Sequence, residues 1–227
     1  MREQIFVVIP AYNVEEMIDK VIKDLKNEGY RNIVVVDDGS SDKTYEVASK
    51  QGVYVLRHVI NRGQGAALKT GIDFALSKGA DIIVTFDGDG QHQAKDIKSM
   101  VTPIIRKEVE VTLGSRFLKN GSKIPFLRRV YLKVGAYVLF LMYGIKLTDS
   151  HNGFRAFSRR AAEMIEIKAD RMEHASEIPE QIKKKKIKFK ELPVDIKYTD
   201  YSTKHGQNYI VNAFNIFFRM VFRKLKG

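Results

Sequence analysis

The residues best suited to chemistry form the run Asp87-Gly88-Asp89-Gly90-Gln91-His92. Two carboxylates one residue apart can both turn into a single site if the backbone bends between them, and Gly88 and Gly90 permit that bend. The chain contains no cysteine, so thiolate metal sites, disulfides and cysteine nucleophiles are excluded. Hard oxygen donors of this kind suit Mg²⁺ or Mn²⁺, held by one or two carboxylates while substrate phosphates complete the shell. A solvated acidic turn is the competing reading of an isolated Asp-x-Asp. The position directly after the apolar run Ile82–Phe86 favours the metal.

Three further clusters are candidates, and the first of them shares that placement. Asp37-Asp38-Gly39-Ser40-Ser41-Asp42 follows the apolar run Ile33–Val36. Adjacent aspartates repel unless a cation or a hydrogen-bond donor sits between them, and a pyrimidine N–H or ribose hydroxyls would serve. Ser40, Ser41 or Asp42 can cap the next helix as well. Asn61-Arg62-Gly63-Gln64-Gly65 precedes a helix, where glycines let the backbone approach a ligand and the helix N-terminus favours phosphate; a plain turn is the alternative. Asp149-Ser150-His151-Asn152-Gly153-Phe154-Arg155 is a polar loop closed by an arginine. Arg155 and Arg116 are candidate diphosphate clamps, because guanidinium pairs with phosphate in a bidentate manner.

These clusters need elements to hold them. Ile5–Ile9, Ile33–Val36, Val53–Arg57, Ile82–Phe86 and Val109–Leu113 read as short strands buried on both faces. Helical spacing over 15–27, 42–51, 66–76 and 97–106 separates them. Such alternation predicts a parallel sheet covered by helices on both sides, with the ligand site beyond the carboxyl ends of the strands. The loops starting at Pro10, Asp37, His58 and Asp87 should therefore converge. After about Gly114 the alternation stops. Pro125–Leu147 reads as a buried or interfacial helix, its uncharged centre 134–145 being shorter than the roughly 20 residues a bilayer span needs. Ile187–Tyr198 offers one or two more strands, and Tyr209–Leu225 a final apolar helix with basic ends.

The 227 residues carry a formal charge of +12, which predicts an anionic partner. Beyond Asp200 there are five Lys or Arg and no Asp or Glu, so the excess gathers between the Lys183–Lys186 run and the C-terminus. The last helix, with Phe214, Phe217, Phe218 and Phe222 beside Arg219 and Arg223, suits an anionic membrane surface; packing on the core or on a second subunit competes. The N-terminal stretch lacks the pattern of a secretory signal, and a cytoplasmic, membrane-peripheral location is expected. A basic nucleic-acid-binding module would explain the charge. Its acidic strand-end loops would repel phosphate, so nucleic acid is disfavoured.

Taken together, Ile9-Pro10-Ala11-Tyr12-Asn13 with Glu15, Asp37-Asp38-Gly39-Ser40 with Asp42, Asn61-x-Gly63, and Asp87-Gly88-Asp89 with Gln91 resemble the family 2 glycosyltransferases of GT-A fold. Within them the chain looks most like the dolichyl-phosphate mannose synthase and polyprenyl-phosphate glycosyltransferase branch, through Asp-Gly-Asp-Gly-Gln and Gly153-Phe154-Arg155. The resemblance, which covers roughly residues 5–200, implies a Rossmann-like, mostly parallel α/β sheet with helices on both faces; the domain is read as 1–200, and the sequence of 201–227 as a basic amphipathic helical appendage. It implies a nucleotide-sugar donor, with UDP and GDP both open, and inversion by a single displacement. Pro10, Ala11, Tyr12, Asn13 and Glu15 would line the nucleotide pocket, Asp38 would contact the base or ribose with Asp37 beside it, and Asn61, Gly63, Gly65 and Gly88 would border the donor. Asp87, Asp89 and Gln91 would bind the metal. Lys204 is placed on a loop that orders over the donor.

The acceptor decides whether a base is needed. A glycan or glycolipid hydroxyl must lose a proton, whereas a polyprenyl phosphate arrives ionised; the resemblance and the basic, apolar tail favour the latter. Candidate bases are Asp149, His151, Glu173 and Glu177, and Glu177 is selected, joining Asp89 and Arg155 as expected catalytic residues. A small membrane subunit and a homodimer are the protein partners considered. A nucleotidyltransferase is the enzymatic rival, but it would carry a glycine- and arginine-rich loop where Pro10-Ala11-Tyr12-Asn13-Val14 stands.

Overall fold

A computed structural model describes residues 3–118, 126–150 and 152–197. The expectations for His151, Lys204 and the appendage 201–227 lie outside these residues. The elements run β1 (Ile5–Ala11), α1 (Glu15–Asn27), β2 (Asn32–Asp37), α2 (Thr44–Ser49), β3 (Tyr54–Arg57), α3 (Gln64–Ser77), β4 (Ile82–Thr85), α4 (Ile97–Ile105), β5 (Val111–Ser115), α5 (Phe126–Tyr143), β6 (Arg155–Ser158), α6 (Arg159–Met164), α7 (His174–Lys184) and β7 (Phe189–Pro193).

The strands form one seven-stranded sheet in the order β3-β2-β1-β4-β6-β5-β7. Neighbours pair in parallel except at β6, which runs antiparallel to both β4 and β5. Successive side chains of a strand point to opposite faces, and the apolar runs therefore feed two cores. Phe6, Val8, Val34 and Val36 pack on one side in a cluster that includes residues of α3, α5, α6 and α7. Val7, Ile9, Ile33 and Val35 pack on the other with residues of α1 and α4. This is why the strands read as continuous apolar runs rather than alternating ones.

The sheet is mixed where strict alternation predicted a parallel one. The insertion of β6 is the reason. The chain leaves β5, makes the long helix α5, and returns through the 148–153 loop into a slot between β4 and β5. In register, Thr85 faces Arg155 and Leu113 also faces Arg155. β6 and α6 carry no signal in the sequence, because the four residues Arg-Ala-Phe-Ser contain no apolar run. The expected serine caps of α2 do not form either: Lys43 occupies the cap position without a side-chain bond. Asp42 instead accepts bonds from the Thr44 amide and hydroxyl (2.9 and 2.6 Å).

Candidate active site

Parallel strands β1, β2 and β4 end at the same edge, and their loops meet there as the sheet rule requires. The first two loops are stitched together. The Asn13 amide donates to Ser40 Oγ (2.9 Å) and the Ser41 amide to Asn13 Oδ1 (2.9 Å). The Glu15 carboxylate receives the Lys43 amide (2.8 Å), and the Val14 amide reaches Thr44 Oγ1 (2.8 Å). Asn13 and Glu15, expected to line the nucleotide pocket, are thus the fasteners between the β1 and β2 loops. Tyr12 stands half exposed beside them, and Pro10 and Ala11 are buried at the end of β1.

Asp37 and Asp38 are both buried, and the donors that must offset their repulsion come from the chain itself. Asp37 accepts the Ser40 amide (3.1 Å) and lies 3.0 Å from Arg57 Nε. Asp38 Oδ1 contacts His58 Nδ1 (2.6 Å) and receives the Arg62 amide (3.1 Å), while its Oδ2 receives the Gly63 amide (2.6 Å). His58 Nε2 in turn meets Thr70 Oγ1 of α3 at 2.9 Å. The loop bearing Asn61 is therefore strapped onto β2 through Asp38.

Gly63 and Gly65, at the start of α3, are packed closely against the chain itself. A Cβ on Gly65 would stand 2.0 Å from the Ala169 carbonyl oxygen, and one on Gly63 2.5 Å from that of Asp170. The Ala66 amide donates to the Asp170 carbonyl (3.0 Å). The close approach these glycines permit is to the chain's own 169–171 segment, which covers the N-terminus of α3. Gly63 also has a φ of 112°, a conformation that side chains rarely adopt.

At the end of β4, Asp87 and Asp89 lie close enough for their charges to interact. Asp87 Oδ1 receives Gln64 Nε2 (2.9 Å) and its Oδ2 meets His92 Nε2 (2.9 Å). Gly153 faces it so closely that a Cβ there would stand 2.6 Å from the carboxylate. Gly88 packs beneath against Ile9 and Pro10. Asp89 receives both the amide and the side-chain amide of Gln91 (3.0 and 2.6 Å), so Gln91 orients Asp89. Burial pushes the Asp87 carboxyl up, but the His92 hydrogen bond and the charges of His92, His174 and Arg155 outweigh it and hold the pKa below the usual range. Asp89 goes the other way, raised by burial and by the negative charge of Asp87. Its ionised form is under-compensated by the protein's own groups, so a cation bound beside it would stabilise it.

Among the described residues no group of three or more His, Cys, Asp or Glu gathers into a protein cage. The donor set is two carboxylates and no soft ligand. It fits a Mg²⁺ or Mn²⁺ that takes its remaining ligands from diphosphate and water.

Of the expected charged residues, Arg155 lies near this pair, its charge acting on Asp87. Arg155 is buried; desolvation lowers its pKa to about 10, against the opposing pull of Asp87 and Asp149, so it stays charged at neutral pH. Its Nη2 lies a long 3.5 Å from the Ala175 carbonyl. That carbonyl is available because Pro179, four residues on in α7, has no N–H to give it. Arg116, by contrast, is engaged as a fork by Asp149, with Nε and Nη2 at 2.6 and 2.7 Å from the two oxygens. Both partners are buried. Glu177, selected as a base, accepts the amides of Lys168 and Ala169 (both 3.0 Å) and fixes the segment that covers α3. Two histidines were undervalued by sequence: His58 and His92 are the side-chain partners of Asp38 and Asp87. The one available signal was that each lies just past a strand end, at the mouth of the sheet.

Residues 6–165 match the model of Glycosyl transferase family 2. The chain is 38% identical, over 97% of its length and 96% of the relative's, to the UDP-N-acetylglucosamine–dolichyl-phosphate N-acetylglucosaminyltransferase of Methanococcus voltae. It is 29% identical, over 74% of its length and 66% of the relative's, to the polyprenol monophosphomannose synthase of Mycolicibacterium smegmatis. Its fold is similar to that of glucosyl-3-phosphoglycerate synthase from Mycobacterium tuberculosis, crystallised with Mn²⁺, uridine diphosphate and glucosyl-3-phosphoglycerate. The TM-score is 0.70 at 16% identity, covering 96% of this chain and 80% of that one. With its sheet, its strand-end aspartates and its matched sequence in agreement, the chain is a glycosyltransferase and belongs to family 2.

Proposed function

We propose that the enzyme transfers a sugar from a uridine-diphosphate sugar to a polyprenyl phosphate, with inversion and with the help of a divalent cation. The observation that carries this reading is the pair Asp87 and Asp89 at the end of β4, where burial and mutual repulsion raise the Asp89 pKa. Support for the nucleotide and the acceptor comes from the Methanococcus voltae relative, which matches this chain nearly end to end.

The cation, when bound, acts as a Lewis acid on the leaving diphosphate. Asp87 and Asp89 would hold it, with His92, Gln64 and Gln91 fixing the two carboxylates. Arg155 adds a positive charge in a buried setting, where its interaction with developing negative charge is strengthened. In a single displacement the acceptor oxygen forms its bond to the anomeric carbon as the bond to the diphosphate breaks. A phosphate acceptor brings an oxygen that is already negative, so no proton has to be removed. The engagement of Asp149 by Arg116 and of Glu177 by two backbone amides favours such an acceptor over a hydroxyl, for which a carboxylate base would be required.

The test is a calorimetric titration of UDP and GDP, each with and without Mn²⁺, on the wild type and on Asp89→Ala. UDP binding that needs both Mn²⁺ and Asp89 is the expected result. Equal UDP binding by Asp89→Ala in the absence of metal would overturn the reading.

A further inference from the structure

Helix α5 has apolar residues on both of its faces. Leu132, Ala136 and Leu139 are buried, and Leu139 belongs to the core cluster that also holds Ile178 and Ile182 of α7. On the opposite side, Val130, Val134, Tyr137 and Leu141 recur at intervals of four, three and four residues, the spacing of a single helix face. These four and the neighbouring Phe140 are each between 44% and 63% exposed. An outward helix face in water ordinarily carries polar side chains; here it presents a continuous strip of bulky apolar ones.

The surroundings say what covers it. No Asp or Glu occurs between Phe126 and Leu147, and Arg129, Lys133 and Lys146 are all exposed. The strip also adjoins a second source of positive charge. α5 packs against α7, and Lys183 Cε lies 3.7 Å from where a Cβ on Gly144, just past α5, would stand. From there the exposed run Lys183–Lys186 leads into an open cleft in which Lys107, Arg160 and Lys188, together with Lys185 and Lys186, outnumber Glu108 and Glu110. Apolar side chains edged by lysine and arginine, with no acidic residue on the helix, match an anionic lipid leaflet in both hydrophobicity and charge. No described helix is long and apolar enough to cross a membrane, so the contact is of a helix lying on the surface.

We infer that the outer face of α5, with the lysine run of α7 beside it, is the surface on which the enzyme lies on an anionic membrane. The inference rests on the proposed lipid-borne acceptor for its purpose, but not for its geometry. α5 ends where the 144–153 loop begins, and that loop carries Asp149 and Gly153 into the active site. A protein lying on α5 thus holds its catalytic edge next to the leaflet from which a lipid phosphate is presented.

The absence of cysteine makes single-site labelling simple. Leu141→Cys and Tyr137→Cys on the strip, and Glu16→Cys on the exposed side of α1 as control, would each carry an environment-sensitive dye. They would be mixed with vesicles of phosphatidylcholine, with and without phosphatidylglycerol. The expected result is a blue shift at 141 and 137 with anionic vesicles and none at 16. Val134→Glu with Leu141→Glu is expected to weaken vesicle binding roughly tenfold or more. Two outcomes would overturn the inference: labels that stay aqueous while the chain sediments with vesicles, so that another segment makes the contact, or a shift that grows with protein concentration without lipid, so that a second copy covers the strip. UDP titration of the double variant separates the two readings. Normal UDP binding with lost vesicle binding supports the docking surface; vesicle docking by a wild type that binds no UDP would overturn the catalytic proposal alone.

Discussion

Two of the strand-end aspartates have a histidine behind them: His58 on Asp38 and His92 on Asp87. His92 is the more consequential. Its ring packs against both Phe86 and Phe154, with centroids at 5.4 and 5.1 Å, the two phenyl rings touching each other at 5.3 Å, so its Nε2 is presented to Asp87 in one fixed orientation. Partners that orient a metal-binding carboxylate typically alter metal affinity 10- to 100-fold when removed. His92→Phe keeps the packing and deletes the contact, and Mn²⁺ titration in the presence of UDP should show a loss of about that size. Asp89 gives a prediction of opposite character. Its folded pKa is raised by burial and by Asp87, so the folded state holds the proton more tightly than the unfolded chain, and the ionised form is destabilising. Stability from this group is full below its unfolded pKa and is lost as pH rises through the raised folded value. Without metal, Asp89→Asn should therefore melt higher than wild type at neutral pH, the gap closing as the buffer is made acidic. In the same variant Mn²⁺-dependent UDP binding should vanish. A lower melting temperature at neutral pH would contradict the assigned repulsion. The aspartates themselves were legible in the sequence, because a carboxylate after a buried strand is a strong local signal. Their histidine partners were not, since His58 and Asp38 are twenty residues apart and meet only through the parallel pairing of β2 with β3.

At the scale of elements, the βα repeats up to β5 could be read from apolar runs and helical spacing, as could α5. β6 could not, because its four residues owe their conformation to the slot between β4 and β5 rather than to their own pattern. Arg155 and Gly153 owe their places to that strand, and two glycine substitutions separate what the elements do. In Gly65→Ala the new methyl meets a backbone carbonyl at 2.0 Å, so α3 and the 169–171 segment must part. The expected cost is about 2–3 kcal/mol, or roughly 4–12 °C in melting temperature for a chain of this size. In Gly153→Ala the methyl meets the tip of the Asp87 side chain instead, which can swing away. That variant should melt near wild type but bind Mn²⁺–UDP at least about tenfold more weakly, because Asp87 has left its position. Calorimetry on both would check the pair, and equal melting of the two would refute the close packing of α3 on 169–171.

Over the whole molecule, the charge of +12 is distributed with purpose. The catalytic edge concentrates carboxylates, which fit a cation and its diphosphate, whereas α5, the end of α7 and the neighbouring cleft concentrate lysine and arginine. Two electrostatic requirements are thus kept on different surfaces, one short-range and buried, the other exposed and open to salt. This separation predicts how activity responds to ionic strength. Going from 0.1 M to 1 M salt shortens the screening length from about 10 Å to about 3 Å, which weakens attraction between exposed lysines and a charged leaflet far more than contacts within a buried site. Transfer to a polyprenyl phosphate embedded in anionic vesicles should then fall by roughly tenfold or more over that range, since each basic residue near the surface contributes about 1 kcal/mol of attraction at low salt. Transfer to a short, water-soluble polyprenyl phosphate serves as the reference, because donor, cation and acceptor phosphate are the same and only the leaflet is missing; its rate should change by no more than about two- to threefold, the response of a partly screened buried site. Parallel loss with both acceptors would place the salt-sensitive step in the active site and remove the need for a basic docking face. Divergence of the two rates, abolished in the Val134→Glu, Leu141→Glu variant, would tie the exposed charge to the membrane and the buried charge to the chemistry.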